Sequence, residues 1–262
     1  MANSDPIGIF DSGIGGLSVA KSIRERLPNE QLLYIADSYH APYGDKSTAF
    51  VEHRSHTLVQ LLIEQRCKAI VVACNTATTA AIHQLRCQFS IPIIGVEPGV
   101  KPAINSTQSG VIGVLATKQT LASDGFNRLV ERFSDSHRVE TQACVGLVEQ
   151  IESINLDGHE TVSLLQRYIS PLLDKGVDTL VLGCTHYAFL EPLIRQLVGE
   201  QVRIINTSTA IAEETHRRLG EENLLSDLSQ SGGEAFLTSS DAAESSEVFS
   251  RLWGRVVEVR GI

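Results

Sequence analysis

Two cysteines occupy matching places in two similar stretches of this chain. Lys68-Ala-Ile-Val-Val-Ala-Cys74-Asn75-Thr76 and Asp178-Thr-Leu-Val-Leu-Gly-Cys184-Thr185-His186 each run through apolar residues to a small residue, a cysteine and polar side chains. Such runs read as buried parallel strands, whose polar C-terminal edge is where α/β sheets place their chemistry. A thiol at the end of a strand and the start of a helix faces backbone N–H groups that favour thiolate. Two thiols from two similar halves, facing one cleft, would take a proton from one side of a carbon and return one to the other. Asn75, Thr76 and Thr185 supply neutral donors for a carboxylate. His186 reads either as a proton partner for Cys184 or as a polar group satisfied in the core. Cys67, Cys87 and Cys144 lack this context and read as inert.

Asp11-Ser12-Gly13-Ile-Gly15-Gly16 follows the first strand and opens a helix. A glycine-rich turn there exposes amides to an anion; its plainer reading is a tight turn with Asp11 as helix cap. A dinucleotide fingerprint fits Gly13, Gly15 and Asp37, but Ser18 stands at the third glycine and Asp11 would place a negative charge beside a pyrophosphate. Pro42-Tyr43-Gly44 is a turn whose Gly44 amide and Tyr43 ring could close over a small ligand. Cys74, Cys184 and His186 would be the ligands of a metal site, yet neither Cys-x-x-Cys nor His-x-x-x-His spacing is present. No lysine stands in a context suited to a Schiff base. These residues therefore predict chemistry without a cofactor or metal.

The elements that must hold these groups alternate almost throughout. Strands are predicted at 6–10, 31–36, 69–73, 91–95, 110–115, 138–143, 178–182 and 202–205, with helices near 16–27, 47–66, 76–88, 118–133, 159–175, 187–198 and 208–219. Two further strands, near 234–238 and 255–259, flank a helical stretch, and 220–233 reads as a surface loop. The alternation predicts an α/β fold with mainly parallel sheets. Pro6-Ile-Gly-Ile-Phe-Asp11-Ser12-Gly13 also resembles Gly110-Val-Ile-Gly-Val-Leu-Ala-Thr117-Lys118, and each precedes its cysteine strand by a similar distance. Two similar, pseudo-symmetric lobes follow: 1–96 completed by 209–262, and 97–208, divided where Glu97-Pro98-Gly99 breaks regular structure. The plainer alternative is that all βα units look alike.

Composition narrows the classes. The chain has 262 residues, 42% hydrophobic and 20% charged, which suits an ordinary globular protein. A net charge of −9 argues against a nucleic-acid surface and leaves an anionic substrate to local donors. No secretory signal and no apolar run of roughly 20 residues is visible, so a cytoplasmic location, off the membrane, is expected. There the five cysteines stay mostly reduced.

Together Asp11-Ser12-Gly13-x-Gly15-Gly16, Pro42-Tyr43-Gly44, Cys74-Asn75-Thr76-Ala77, Gly95-Val96-x-Pro98, Thr117-x-x-Thr120 and Gly183-Cys184-Thr185-His186-Tyr187 resemble bacterial glutamate racemases of the aspartate/glutamate racemase superfamily. The likeness runs from Ile7 to about Thr209, in the family's order and spacing. It implies a cofactor-independent isomerase of glutamate that supplies D-glutamate for peptidoglycan. It also implies two α/β lobes around an inter-lobe site, and a homodimer. Cys74 and Cys184 match the family's two acid/base cysteines, and Asp11 and His186 their polar partners. Ser12, Tyr43, Gly44, Asn75, Thr76, Thr117, Thr120, Thr185 and His186, with Asp11, match substrate contacts. Glu152 resembles the acid near the substrate amine or its partner side chain. Two departures are Ala188, where the family continues with Pro, and Asn206, where Asp is usual. Aspartate and hydantoin racemases share the paired-cysteine layout and are the nearest alternatives. A non-enzymatic amino-acid-binding protein would leave both thiols dispensable.

Overall fold

The computed structural model describes residues 3–133, 136–227 and 229–262. Its strands are β1 (Ile7–Asp11), β2 (Leu32–Ala36), β3 (Ala69–Val72), β4 (Ile93–Gly95), β5 (Val111–Ala116), β6 (Arg138–Ala143), β7 (Thr179–Leu182), β8 (Arg203–Ile205), β9 (Glu234–Thr238) and β10 (Val259–Gly261). Its helices are α1 (Leu17–Arg26), α2 (Thr48–Glu64), α3 (Asn75–Gln88), α4 (Val100–Ile104), α5 (Lys118–Ala122), α6 (Asp124–Glu131), α7 (Leu147–Glu152), α8 (His159–Leu173), α9 (Glu191–Val198), α10 (Ser208–Glu221) and α11 (Ala242–Trp253).

The strands form two sheets, ordered β10-β9-β2-β1-β3-β4 and β6-β5-β7-β8, and every pairing is parallel. The run β2-β1-β3-β4 of the first sheet repeats as β6-β5-β7-β8 in the second. Thus β1 corresponds to β5, and β3, which leads to Cys74, corresponds to β7, which leads to Cys184. The internal likeness of the chain is therefore a likeness of topology, with β9 and β10 added beyond β2.

Helices cover both faces of the central strands, so β1, β3 and β7 are buried at every position and read as unbroken apolar runs. β6 ends its sheet and carries Arg138, Glu140 and Gln142, none of them buried. One apolar cluster runs from Ile9, Val19 and Tyr34 to Leu115, Ile151 and Leu182, joining the two sheets through packed side chains. An aromatic group seats β9 and α11 on the first sheet: Phe236 lies 5.1 Å from Trp253 and Phe249 lies 5.9 Å from Tyr34, ring centre to ring centre.

Several elements differ from the sequence reading. The helix expected over 118–133 is two helices, because Ser123 turns extended and its Oγ accepts Phe126 N–H at 3.2 Å, capping a new start. The short helices α4 and α7 were not visible as amphipathic periods. The helix expected from 187 begins as a 3₁₀ segment at Thr185, and the α-helical part starts only at Glu191, with Pro192 in its first turn. α10 runs two residues further than expected, into the region read as loop. The last strand lies at Val259–Gly261 rather than 255–259.

Candidate active site

The neighbouring strands β1 and β3 of the first sheet, and β7 of the second, each lead to a candidate group at the C-terminal end. Asp11 is the last residue of β1, Cys74 follows β3 after Ala73, and Cys184 follows β7 after Gly183. Cys74 occupies the N-cap of α3, where its Sγ accepts Ala77 N–H at 3.4 Å and lies 3.7 Å from Ser12 Oγ. Burial pushes the Cys74 thiol well up, and the nearby Asp11 carboxylate pushes it further. Burial also raises Asp11, against the opposing pull of His186 and of the bonds from Ser12 and Gly16.

The Asp11 turn is not an open anion cradle. Ser12 N–H donates to Asp11 Oδ1 at 2.8 Å and Gly16 N–H to Oδ2 at 2.6 Å, so the turn closes on its own carboxylate. Ile14 N–H donates instead to Glu152 Oε1 at 2.9 Å, reaching a residue of α7. The glycines serve that close approach. An ideal Cβ on Gly13 would lie 1.9 Å from Glu152 Oε1, and one on Gly15 would lie 2.3 Å from His186 Nδ1. The dinucleotide alternative fails with them, since Asp37 is fully buried in an ion pair with Arg54 at 2.7 Å.

Around Cys184 the charge has the opposite sign. His186 Nδ1 lies 3.8 Å from Cys184 Sγ, and Nε2 lies 2.6 Å from Glu152 Oε1. Burial by itself would lower the imidazole, but its bonds to Cys184 and Glu152 outweigh that and hold it well above its ordinary value. That direction favours the protonated imidazole beside the Cys184 sulfur. Thr185 Oγ1 donates to Asp11 Oδ2 at 3.3 Å, linking the two thiol environments.

A third group is made of hydroxyls. Thr76 Oγ1 lies 3.0 Å from Thr117 Oγ1 and 3.2 Å from Thr120 Oγ1, and the latter two are 3.0 Å apart. Thr117 is also the N-cap of α5, accepting Thr120 N–H at 3.2 Å. Gly44 packs against this group so closely that a Cβ would lie 2.8 Å from Thr117 Cβ. Asn75 is buried, its Nδ2 donating to Val96 O at 3.4 Å and its Oδ1 without a hydrogen-bond partner among the described residues. Between Gly44, Thr117, Cys144 and Val148 remains a cavity of about 20 Å³, room for one water.

Asp11, Ser12 and Cys74 therefore meet, as do Cys184, His186 and Glu152, and as do Thr76, Thr117, Thr120 and Gly44. Tyr43 differs from its sequence reading: its ring is buried in the core beside Cys74, and its hydroxyl donates to Asp37 Oδ2 at 2.6 Å. Asn206 Nδ2 donates to Glu191 Oε2 at 3.0 Å while its Oδ1 accepts Ser208 N–H at 3.0 Å, so an amide suits the neighbouring carboxylate better than Asp would. Ala188 and Asn206 line a separate surface cavity with Ser18 and Ser208. Arg54 went unnoticed in the sequence, since nothing local marks a helical arginine as the partner of an acid 17 residues earlier.

Residues 7–215 match the Asp/Glu/Hydantoin racemase family. A glutamate racemase of Methylococcus capsulatus is 48% identical over 258 residues, covering 98% of this chain and 95% of that protein. The crystal structure of a glutamate racemase from Bacillus anthracis superposes with a TM-score of 0.91 at 33% identity, covering 99% of this chain and 98% of that one. A glutamate racemase from Francisella tularensis, crystallised with D-glutamate, superposes with a TM-score of 0.86 at 28% identity, covering 99% and 97%.

Proposed function

The chain belongs to the Asp/Glu/Hydantoin racemase family, and from that premise we propose how its cleft interconverts the enantiomers of glutamate. It is an isomerase acting on glutamate. One cysteine, as thiolate, removes the α-proton; the other, as thiol, donates a proton to the opposite face. The first ends as thiol and the second as thiolate, so each turnover inverts the pair and prepares it for the other enantiomer. The observation that carries this reading is the placement of Cys74 and Cys184 at corresponding strand ends of two sheets with one topology.

The two sulfurs differ at rest. His186 Nδ1 lies 3.8 Å from Cys184 Sγ, whereas burial and then the Asp11 carboxylate push the Cys74 thiol up, so the two sulfurs meet unlike surroundings. His186, backed by Glu152, compensates charge as the proton moves. General acid–base catalysis of this kind contributes on the order of 10²–10⁴-fold. Stabilisation of negative charge on the α-carboxylate supplies more, from donors at Ser12, Asn75, Thr76 and Thr185. The Asp11 carboxylate and Asn75 Oδ1 suit the substrate ammonium. The Thr76, Thr117 and Thr120 hydroxyls, with the Gly44 amide, suit the distal carboxylate. Glutamate enters between the halves, which part for binding and close to exclude solvent.

The lobes proposed are 1–96 with 209–262, and 97–208; sheet membership of the strands supports the division. We propose a homodimer that supplies D-glutamate for peptidoglycan in the cytoplasm. Among the described residues no helix is long and apolar enough to cross a membrane. The test is chirality-resolved turnover of glutamate and aspartate by the purified protein without added cofactor. One methylene in a fitted site is worth about 1–3 kcal/mol, so glutamate should be favoured about tenfold or more. Equal or reversed preference would move the chain to a neighbouring branch of the family.

A further inference from the structure

Beside the site lies a buried polar network that the chemistry above does not use. Asp37 stands just past the end of β2, fully buried, and its N–H donates to the Asp11 carbonyl at 3.0 Å. Arg54, on α2, grips its carboxylate as a fork, with Nε 2.9 Å from Oδ2 and Nη2 2.7 Å from Oδ1. Tyr43 Oη donates to Oδ2 at 2.6 Å, and His40 Nδ1 lies 3.0 Å from Oδ1. Burial would raise this carboxyl, but Arg54, Tyr43 and His40 outweigh it and hold it below its usual range, as an anion. A bidentate, largely desolvated pair of this kind fixes geometry as well as charge.

What the network fixes is the segment that follows. Between β2 and α2 the chain makes two short 3₁₀ turns, Ser38–His40 and Tyr43–Asp45, and joins neither sheet. Tyr43 is the tether, with its ring in the core and its hydroxyl on Asp37. The next residue, Gly44, lies directly on Thr117, and Gln119 Nε2 donates to Thr48 Oγ1 at 2.7 Å a few residues further along.

We propose that Asp37 and Arg54 are positioning residues for the distal-carboxylate subsite: acting through Tyr43, their forked pair holds Gly44 over the Thr76–Thr117–Thr120 hydroxyls. The pair thereby sets affinity for the substrate side chain and leaves proton transfer at the α-carbon alone. This inference rests on the reading of that hydroxyl cluster as the distal-carboxylate site.

The test separates glutamate from an analogue that lacks the distal carboxylate. In β-chloroalanine a thiolate takes the α-proton, chloride leaves the β-carbon as the double bond forms, and water converts the aminoacrylate to pyruvate and ammonia. Arg54→Lys keeps the charge and loses the fork. It should raise KM for glutamate about fivefold or more, with kcat within about threefold, and leave kcat/KM for pyruvate release from β-chloroalanine within about twofold. If Arg54→Lys does not accumulate as folded protein, Asp37→Asn carries the same expectation. An unchanged KM in Arg54→Lys, beside a raised KM in Thr117→Val, would overturn the positioning role alone. Parallel loss of both reactions would reduce the pair to fold stability and overturn it too. An unchanged KM in Thr117→Val would overturn the subsite reading, and this inference with it.

Discussion

Gly15→Ala tests the charge arrangement around Cys184 by adding one methyl group. Gly15 is not among the glycines with left-handed backbone, so alanine is tolerated by the main chain and the effect is one of contact. The new Cβ would stand 2.3 Å from His186 Nδ1 and 2.7 Å from its Cγ and Cε1, whereas ordinary contact begins at 3.4 Å. The imidazole must therefore retreat by about 1.1 Å. It has little freedom to do so, being 2% exposed and bonded through Nε2 to Glu152 at 2.6 Å. Its contact with Cys184 is already 3.8 Å, so a retreat of that size breaks one bond or the other. Displacement of a catalytic group by about 1 Å costs on the order of 10²-fold in rate. Racemisation is a poor readout of which thiol suffers, because the enantiomers of glutamate are equal in free energy. Any variant then has the same kcat/KM in both directions. Elimination from each enantiomer of β-chloroalanine needs only one base and resolves the two. Gly15→Ala should lose about 10²-fold on the enantiomer whose α-proton Cys184 removes and stay within about threefold on the other. Equal loss on both, or no loss on either, would refute the assignment of His186 to Cys184.

Cys74→Ser and Cys184→Ser should each abolish racemisation, because each replaces a thiol by a far weaker base on one face. Each should retain elimination from one enantiomer of β-chloroalanine, with opposite preferences; full racemase activity in either would point to a single shared base. Asp178, which accepts Thr107 Oγ1, Gln108 N–H and Ser109 N–H, is held at about 2 by those bonds against the opposing effect of burial. A carboxyl lowered on folding adds stability above its unfolded value near 3.9 and loses it as pH falls through about 2. Asp178→Asn should therefore lower the Tm at pH 7, and the gap to the native protein should close on acidification through that window. A gap independent of pH would show that the bonds act without the charge.

Much of this protein could be read along the chain. β1, β3 and β7 announced themselves as unbroken apolar runs because helices cover both their faces, and burial on both sides leaves no polar alternation. Cys74 and Cys184 stood out because their strands, turns and following polar residues repeat. Resemblance then attached roles to Asp11, His186, Glu152 and four threonines, Thr76, Thr117, Thr120 and Thr185. The extents of α2, α3, α8 and α10 followed to within two residues from amphipathic periods spanning several turns, whereas α4 and α7 are too short to show one.

The tertiary structure decided which of those residues act on one another. Gly13 and Gly15 looked like the glycines of an anion-binding turn, and a glycine needed for close approach has the same letter as one needed for a turn. Only the approach of Glu152 of α7 and of His186 to the turn after β1 shows that the missing side chains make room for them. Ile14 and Glu152 are 138 residues apart, and nothing local in either stretch encodes their bond. Thr76, Thr117 and Thr120 come from two helix starts on different sheets, and their hydroxyls meet only because those sheets face one another. Asp37 and Arg54 illustrate the same limit at shorter range. A linear pattern reports how one element divides its residues between core and solvent, and that division is a property of the element itself. The distance between two side chains on separate elements depends on how sheets and helices pack, and packing is settled by the whole chain at once.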